Sequence, residues 1–222
     1  MQELRLGFLA SHHGSNVQTI VDACKEGRLN AKPRVVISNN SRANVLARAK
    51  LESIPFRHLS SKTHSVFEEL DRAIADTLDE YGVGLVVLAG YMKKLGPEML
   101  SRFKGRILNT HPALLPRFGG MGMYGMRVHE SVLAAGERVT GATVHLVEGE
   151  YDQGPVVSQV EVPVMESDSP DSLRERVLEH EHTLYVEVLQ RISAGDIDLD
   201  SISATRTSMK QPAPPRYIGP SE

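Results

Sequence analysis

The chain has 222 residues, of which 41% are hydrophobic and 24% charged, and its formal net charge is −3. This apolar fraction supports a buried core, which excludes a disordered or fibrous protein. The near-neutral charge argues against a generic nucleic-acid binder, whose binding surface is basic. Because Cys24 is the single cysteine, an intramolecular disulfide and a cysteine-built metal site are also excluded.

The N-terminal segment and the hydropathy pattern predict a cytoplasmic protein. Residues 1–5 lack the basic start, the apolar stretch and the cleavage site of a signal peptide. No run approaches the ~18 apolar residues that a membrane-spanning helix needs. We therefore expect small-molecule substrates, with neither a membrane nor a nucleic acid as partner, for a monomer or a homodimer.

Apolar strand-like segments alternate with segments of helical periodicity in the first half of the chain. Continuous apolar strands suit a sheet that is covered on both sides. The alternation predicts a Rossmann-like α/β fold, a mostly parallel sheet with helices on both faces. The predicted strands cover 4–10, 34–38, 55–59, 85–89 and 107–109, and the predicted helices cover 17–24, 43–51 and 67–81.

The second half of the chain extends the sheet, and we expect its strands to add in antiparallel orientation. A single domain is expected over residues 1–195, followed by a C-terminal extension over 196–222. The predicted elements are a loop at 117–125, a helix at 128–135, strands at 140–147 and 155–164, a long helix from Ser169 and Pro170 to Gly195, and an extended tail at 211–215.

The first strand is followed by a turn of small polar residues, Gly14, Ser15 and Asn16, directly before a helix. Backbone N–H groups at a helix N-terminus bind anions such as phosphate. Ligands also favour the carboxyl ends of strands in this architecture. The turn matches neither the dinucleotide-binding nor the Walker A pattern, so a plain turn in which Ser15 or Asn16 caps the helix is the alternative.

Two polar clusters later in the chain suit acyl-transfer chemistry. Asn109 and His111 alternate with Thr110, so an extended backbone places both on one face. An amide donor beside an imidazole can stabilise a developing oxyanion and move a proton. If Asp152 folds back beside His111, its charge raises the pKa of the imidazole. The alternatives are a histidine satisfied within a loop and an ordinary turn aspartate.

Other chemistries find little support in the sequence. His180 and His182 lie two residues apart on a predicted helix and point to different faces, and there is no metalloprotease-type histidine motif, so we expect no metal. No nucleophile-elbow motif is present for serine catalysis. Cys24 lies on an apolar helix face, where a core position is expected.

Six short motifs in a fixed order carry a resemblance that covers most of residues 4–195. They lie at 13–16, 36–39, 88–92, 108–116, 141–145 and 151–155. With these motifs the chain resembles the folate-dependent formyltransferases. The asparagine–histidine–proline segment followed by a distal aspartate is the most specific of them, and the stretch at 122–129 is similar to members that act in purine biosynthesis.

The resemblance implies transfer of a formyl group from 10-formyltetrahydrofolate, as co-substrate, to the amine of glycinamide ribonucleotide. Asn109, His111 and Asp152 are then the catalytic residues. The amine attacks the formyl carbon directly, Asn109 and protonated His111 stabilise the tetrahedral oxygen, and Asp152 holds His111 charged.

The resemblance also implies binding residues. The substrate-binding set is Gly14, Ser15 and Asn16 for the phosphate, Glu181 for the ribose, and Gly90 and Met92. The folate-binding set is Met92, Lys93, Leu95, Asn109, Val147 and Asp152.

The sequence departs from the family pattern at a few positions. His12 and His13 stand where the family has a glycine-rich turn, Leu178 stands at a position that is often polar, and Lys93 replaces a common arginine.

A methionyl-tRNA formyltransferase and a formyltetrahydrofolate hydrolase are disfavoured because each carries an additional domain. A sugar-nucleotide formyltransferase and a non-catalytic phosphate-ligand binder remain as alternatives.

Overall fold

A computed structural model of the chain describes residues 3–208, so the tail predicted at 211–215 lies outside the described residues. A seven-stranded sheet forms its centre, in the order β3-β2-β1-β4-β5-β6-β7. The first five strands are parallel, and β6 and β7 are antiparallel, which confirms the predicted fold class. The strands are β1 (Leu4–Ala10), β2 (Ala31–Ser38), β3 (Phe56–His58), β4 (Leu85–Leu88), β5 (Ile107–His111), β6 (Val139–Leu146) and β7 (Val156–Pro163).

Helices cover both faces of the sheet, and alternate side chains of each strand enter different layers. In β1, Phe8 packs in one buried cluster and Leu9 in another. No helix within residues 3–208 is long and apolar enough to cross a membrane. The helices are α1 (Ser15–Lys25), α2 (Asn44–Leu51), α3 (Phe67–Glu80), α4 (Pro97–Arg102), α5 (Met126–Ala134), α6 (Pro170–Ala194) and α7 (Leu199–Ser208).

Helix α4 was not predicted, because six residues are too few to display a helical period. The first turn of α4 is instead stabilised by a side chain of α3. The buried Asp71 carboxylate accepts hydrogen bonds from the backbone N–H groups of Gly96, Glu98 and Met99. A carboxylate at a helix N-terminus satisfies donors that the helix itself leaves unpaired.

Helix α7 was not predicted either, since residues 196–222 were expected to form a C-terminal extension. Ile197 and Leu199 are buried in the core, and Arg106 pairs with Asp200 over 2.7 Å. Residues 197–203 therefore pack against the rest of the domain.

The start of β2 lies three residues earlier than predicted. The predicted strand began at residue 34, and the observed one includes Pro33, which has no N–H to donate. In the structure β3 pairs with β2 only at residues 36–38, so within the described chain Pro33 lies where β2 has an open outer side. The register with β1 shifts at this point, between Leu6 and Gly7.

The two ends of α6 agree with the sequence, and its middle reaches the sheet. Ser169 caps the helix and exchanges hydrogen bonds with Ser172 in a capping box. The buried Tyr185 hydroxyl lies 3.2 Å from the carbonyl of Leu88 and 3.0 Å from that of Leu108, so α6 is fastened to the ends of β4 and β5. One turn earlier on the same face lies Glu181.

Candidate active site

A cleft of about 610 Å³ opens at the carboxyl ends of β1, β4 and β5. This volume is typical of small-molecule sites, and the position is the one where open α/β sheets bind ligands. The predicted site residues that line it are Gly14, Ser15, Asn16, Gly90, Met92, Asn109, His111, Asp152 and Glu181.

Strand β5 holds Asn109 and His111 side by side in the cleft. The strand continues two residues beyond the predicted end because β6 pairs with it in antiparallel register, Asn109 opposite His145 and His111 opposite Thr143. Alternation along the strand then turns both side chains to the same face. His111 is only 3% exposed, so its imidazole lies in a largely dry environment.

Both ring nitrogens of His111 face oxygen atoms. Nε2 donates to the carbonyl of Phe118 over 2.7 Å, and Nδ1 lies 3.4 Å from Oδ2 of Asp152. A carbonyl only accepts, so in the neutral ring the proton sits on Nε2 and the lone pair of Nδ1 faces the carboxylate. A second proton on Nδ1 would convert this contact into an ion pair.

That Asp152 keeps His111 charged stays a prediction, and burial of the ring acts against it. Burial lowers the pKa of His111, and although Asp152 and the Phe118 carbonyl raise it, the pKa remains below its ordinary value. The direction of the Asp152 effect was predicted correctly. Burial outweighs it because a charged imidazolium loses its hydration when the ring is enclosed.

Asp152 is fixed by its backbone conformation and by one loop N–H. Its φ is +56°, a left-handed conformation that aspartate tolerates better than most residues. Gly120 donates its N–H to Oδ2 over 3.0 Å. Burial raises the pKa of Asp152. The Gly120 N–H and the rings of His145 and His111, when these carry a second proton, lower it by more, so the net pKa lies below its ordinary value.

His145 belongs to the network formed by Asn109 and Asp152, although no role was predicted for it. Its Nδ1 donates to the carbonyl of Leu146 over 2.9 Å, so in the neutral ring Nε2 is an acceptor. Asn109 Nδ2 donates to that Nε2 over 3.1 Å, which leaves the second N–H of the amide for the cleft. Nε2 also lies 3.6 Å from Oδ1 of Asp152. The motif at 141–145 was the only sequence signal for this residue.

The other end of the cleft is formed by the turn before α1. Gly14, not Ser15 or Asn16, is the N-cap residue, with φ +70° and no side-chain capping bond. The predicted side-chain cap is therefore wrong. Asn16 turns inward instead, and its Nδ2 donates to Oε1 of Glu181 over 2.5 Å. Burial raises the pKa of Glu181 to about 7, and the Asn16 hydrogen bond only partly opposes this.

Comparisons with known proteins agree with this geometry. The sequence model of the formyl transferase family matches residues 4–189. The chain belongs to the formyl transferase family. It is 40% identical to the phosphoribosylglycinamide formyltransferase of Haemophilus influenzae over 195 residues, covering 88% of this chain and 90% of that protein. It is 39% identical to the chloroplastic phosphoribosylglycinamide formyltransferase of Arabidopsis thaliana, covering 85% of this chain and 65% of that protein.

A solved structure gives the same result. Glycinamide ribonucleotide transformylase 1 from Symbiobacterium toebii is 39% identical, with a TM-score of 0.82 over 87% of this chain and 89% of that chain. A formyltetrahydrofolate deformylase from Pseudomonas syringae superposes with a TM-score of 0.78 at 23% identity, and that likeness concerns the fold.

Three residues predicted to contact folate lie outside the lining of this formyl transferase cleft. Leu95 is buried in the core cluster that also contains Ile107, and Val147 packs against the same cluster. Lys93 is exposed. Their assignment to folate stays a prediction. Within residues 3–208 no group of three histidine, cysteine or acidic side chains is arranged to hold a metal ion.

Proposed function

We propose that this protein is a phosphoribosylglycinamide formyltransferase. It transfers the formyl group of 10-formyltetrahydrofolate to the amine of glycinamide ribonucleotide and yields formylglycinamide ribonucleotide for purine biosynthesis. The observation that carries the proposal is one cleft with Asn109, His111 and Asp152 at one end and the Gly14–Asn16 turn at the other. The names of the relatives at 39–40% identity support the same substrate.

Acyl transfer concentrates negative charge on the formyl oxygen as the amine attacks the formyl carbon. Asn109 offers an N–H whose direction is set by His145, and His111 lies beside it on the same strand face. An amide donor that is fixed before the reaction stabilises such an oxygen without reorganisation. The amine is its own nucleophile, so the formyl group passes to it without a bond to the protein.

His111 enters the reaction as a neutral ring that can gain a proton. The amine loses a proton during attack, and Asp152 stabilises the imidazolium that forms when His111 takes it up. A proton delivered from Nε2 to the formyl oxygen or to the leaving nitrogen first has to leave the Phe118 carbonyl. Movement of the loop at 117–125 is therefore part of the proposed cycle.

The cleft also fits the co-substrate. Met92, Met121, Tyr124 and Tyr151 are large apolar residues that line it while remaining more than a third exposed. A flat heteroaromatic ring such as a pterin binds well against apolar walls with a few polar groups. The folate supplies the activated formyl group, and the protein residues orient it against the amine.

Product formation with and without the amine tests the proposal. The purified protein, incubated with 10-formyltetrahydrofolate and glycinamide ribonucleotide, should release tetrahydrofolate and form one formylated ribonucleotide for each turnover. Omitting the ribonucleotide separates transfer from hydrolysis to formate. Release of tetrahydrofolate at the same rate without the ribonucleotide would establish a hydrolase instead.

The remaining organisation is part of the proposal. Residues 1–195 form the catalytic domain, residues 196–222 extend it, and the enzyme works in the cytoplasm as a monomer or homodimer on small molecules without a metal. Light scattering on the purified protein, and activity after dialysis against a chelator, measure the two properties that matter most for the assay.

A further inference from the structure

Three successive carbonyls of the turn after β1 are hydrogen bonded to the segment that follows β2. The backbone N–H of Val45 donates to the carbonyl of His12 over 3.1 Å. Nε of Arg48 donates to the carbonyl of His13 over the same distance. Asn40 Nδ2 approaches the carbonyl of Ser11 at 3.4 Å. The turn is therefore held from the α2 side through its carbonyl oxygens.

Peptide planarity converts these contacts into a direction for the amide groups. In a trans peptide the C=O of one residue and the N–H of the next point in opposite directions. With the carbonyls of His12 and His13 bound toward α2, the N–H groups of His13 and Gly14 point away from α2. Both residues line the cleft. Successive N–H groups with a left-handed residue among them form an anion-binding concavity, and Gly14 has φ +70°.

Of these three hydrogen bonds, the one from Arg48 fixes the peptide between His13 and Gly14. Arg48 is half-buried, and its Nη1 also lies 3.4 Å from Oε1 of Gln18 on α1. Its guanidinium thus joins α1, α2 and the turn. The rest of the turn is packed tightly, since a Cβ at Gly14 would collide with the side chain of Val45.

We propose that Arg48 is a positioning residue for the phosphate end of the substrate. It holds the carbonyl of His13 toward α2 and thereby directs the Gly14 N–H into the cleft, so it sets phosphate affinity through the backbone. The proposal rests on the proposed function for the identity of the substrate. It assigns Arg48 no part in formyl transfer.

The test compares Arg48→Met with Lys50→Met, which removes a positive charge from an exposed position on the same helix. For Arg48→Met we expect the KM for glycinamide ribonucleotide to rise about tenfold, the typical effect of losing one hydrogen bond to a charged group, with kcat changed less than about twofold. Lys50→Met should leave both constants near wild type. Arg48→Lys keeps a donor and should recover part of the loss.

Two further readouts separate positioning from a general structural role. With the substrate analogue that lacks the phosphate, wild type and Arg48→Met should have the same KM. In nuclear magnetic resonance spectra, inorganic phosphate should shift the Gly14 amide of wild type and of Lys50→Met, and shift it far less in Arg48→Met.

The opposite results overturn the inference. An equal loss on both substrates, a fall in kcat alone, or an unchanged Gly14 response in Arg48→Met would each show that Arg48 does not position the amide. If wild type catalyses no formyl transfer while phosphate shifts Gly14 in an Arg48-dependent way, the proposed function fails and the role of Arg48 stands.

Discussion

The two ends of the cleft use different parts of the polypeptide. At the end that we propose for formyl transfer, Asn109, His111 and Asp152 present side chains, two of them ionisable and closely surrounded by protein. At the end that we propose binds phosphate, the turn at 13–16 presents backbone N–H groups, and the carbonyls of His12 and His13 are hydrogen bonded to the α2 side. Backbone dipoles do not titrate, whereas buried ionisable groups change charge with pH and with each neighbouring charge.

This difference predicts how each end responds to change. Single substitutions should abolish function at the reaction end, because every group there has its own chemical task. At the phosphate end several parallel amides share one anion, so a single side chain should matter less. The predictions that follow test this contrast, from the largest expected effect to the smallest.

Removing the imidazole should have the largest effect. His111→Ala is expected to lower kcat by about 10²–10³, the range seen when one oxyanion-stabilising group is lost. Stopped-flow or steady-state assays with glycinamide ribonucleotide measure it, and His64→Ala, at a half-buried loop position outside the cleft, is the matched control. Turnover at the wild-type rate would remove His111 from the mechanism.

The carboxyl group of Glu181, which is buried between α6 and α1, should make the free energy of unfolding depend on pH. The pKa of Glu181 is about 7 in the folded protein and near 4.5 when exposed, so the folded state binds more protons between these values. The stabilisation is complete below pH 4.5 and is lost as the pH rises through 7, by roughly 3 kcal/mol.

Denaturant unfolding at a series of pH values measures this loss. Glu181→Gln should be much less dependent on pH across the same window, while the exposed control Glu187→Gln should follow wild type. If the wild-type unfolding free energy is flat between pH 4.5 and 7.5, the carboxyl does not titrate as proposed.

Asp152→Asn should lower the pKa of His111 further, because the carboxylate favours the imidazolium. Asparagine also tolerates the left-handed backbone at this position, so the loop should keep its shape. Activity at neutral pH should fall at least about tenfold, as for loss of acid–base assistance. Titration of the His111 ring protons by nuclear magnetic resonance measures the shift.

Glu150→Gln serves as the control for Asp152→Asn, since it removes an exposed carboxylate from the same loop. His111 should titrate in this variant as it does in wild type. A His111 titration that is identical in Asp152→Asn and in wild type would show that the two groups do not interact.

The smallest effect is expected at His13. Its Nδ1 lies 3.2 Å from the amide nitrogen of Asn44, so the ring is directed to α2 while the backbone serves the cleft. His13→Ala should change the KM for the ribonucleotide less than about threefold, since the helix-terminal amides remain. A larger rise would instead assign a direct contact with the substrate to this side chain.

Sequence periodicity predicted the elements that build the cleft, since long apolar strands and helices repeat at fixed intervals. It placed Asn109 and His111 together because residues two apart on one strand share a face. It missed His145 because the pairing of β5 with β6 depends on strand register, which no local pattern displays. Helix α4 was missed because its N-terminal donors are satisfied by Asp71, more than twenty residues away.

The charge state of His111 was beyond the sequence for a different reason. The pair with Asp152 could be inferred, but the degree of burial depends on the loop that closes over the ring, including the Phe118 carbonyl. The competition between burial and a neighbouring charge is decided by the packed structure. The packed structure likewise decides that the Leu95 side chain lies in the core and that Val147 packs against it.

The hydrogen bond between Asn16 and Glu181 joins residues 165 positions apart, so the cleft exists only after α6 has docked on α1. A ligand that binds this cleft binds the native state and not the unfolded chain, and stabilises it by RT ln(1 + [L]/Kd). Saturating substrate should therefore slow hydrogen exchange along α6, well away from the reacting atoms. In this way the first turn and the last long helix share one thermodynamic response to the ligand.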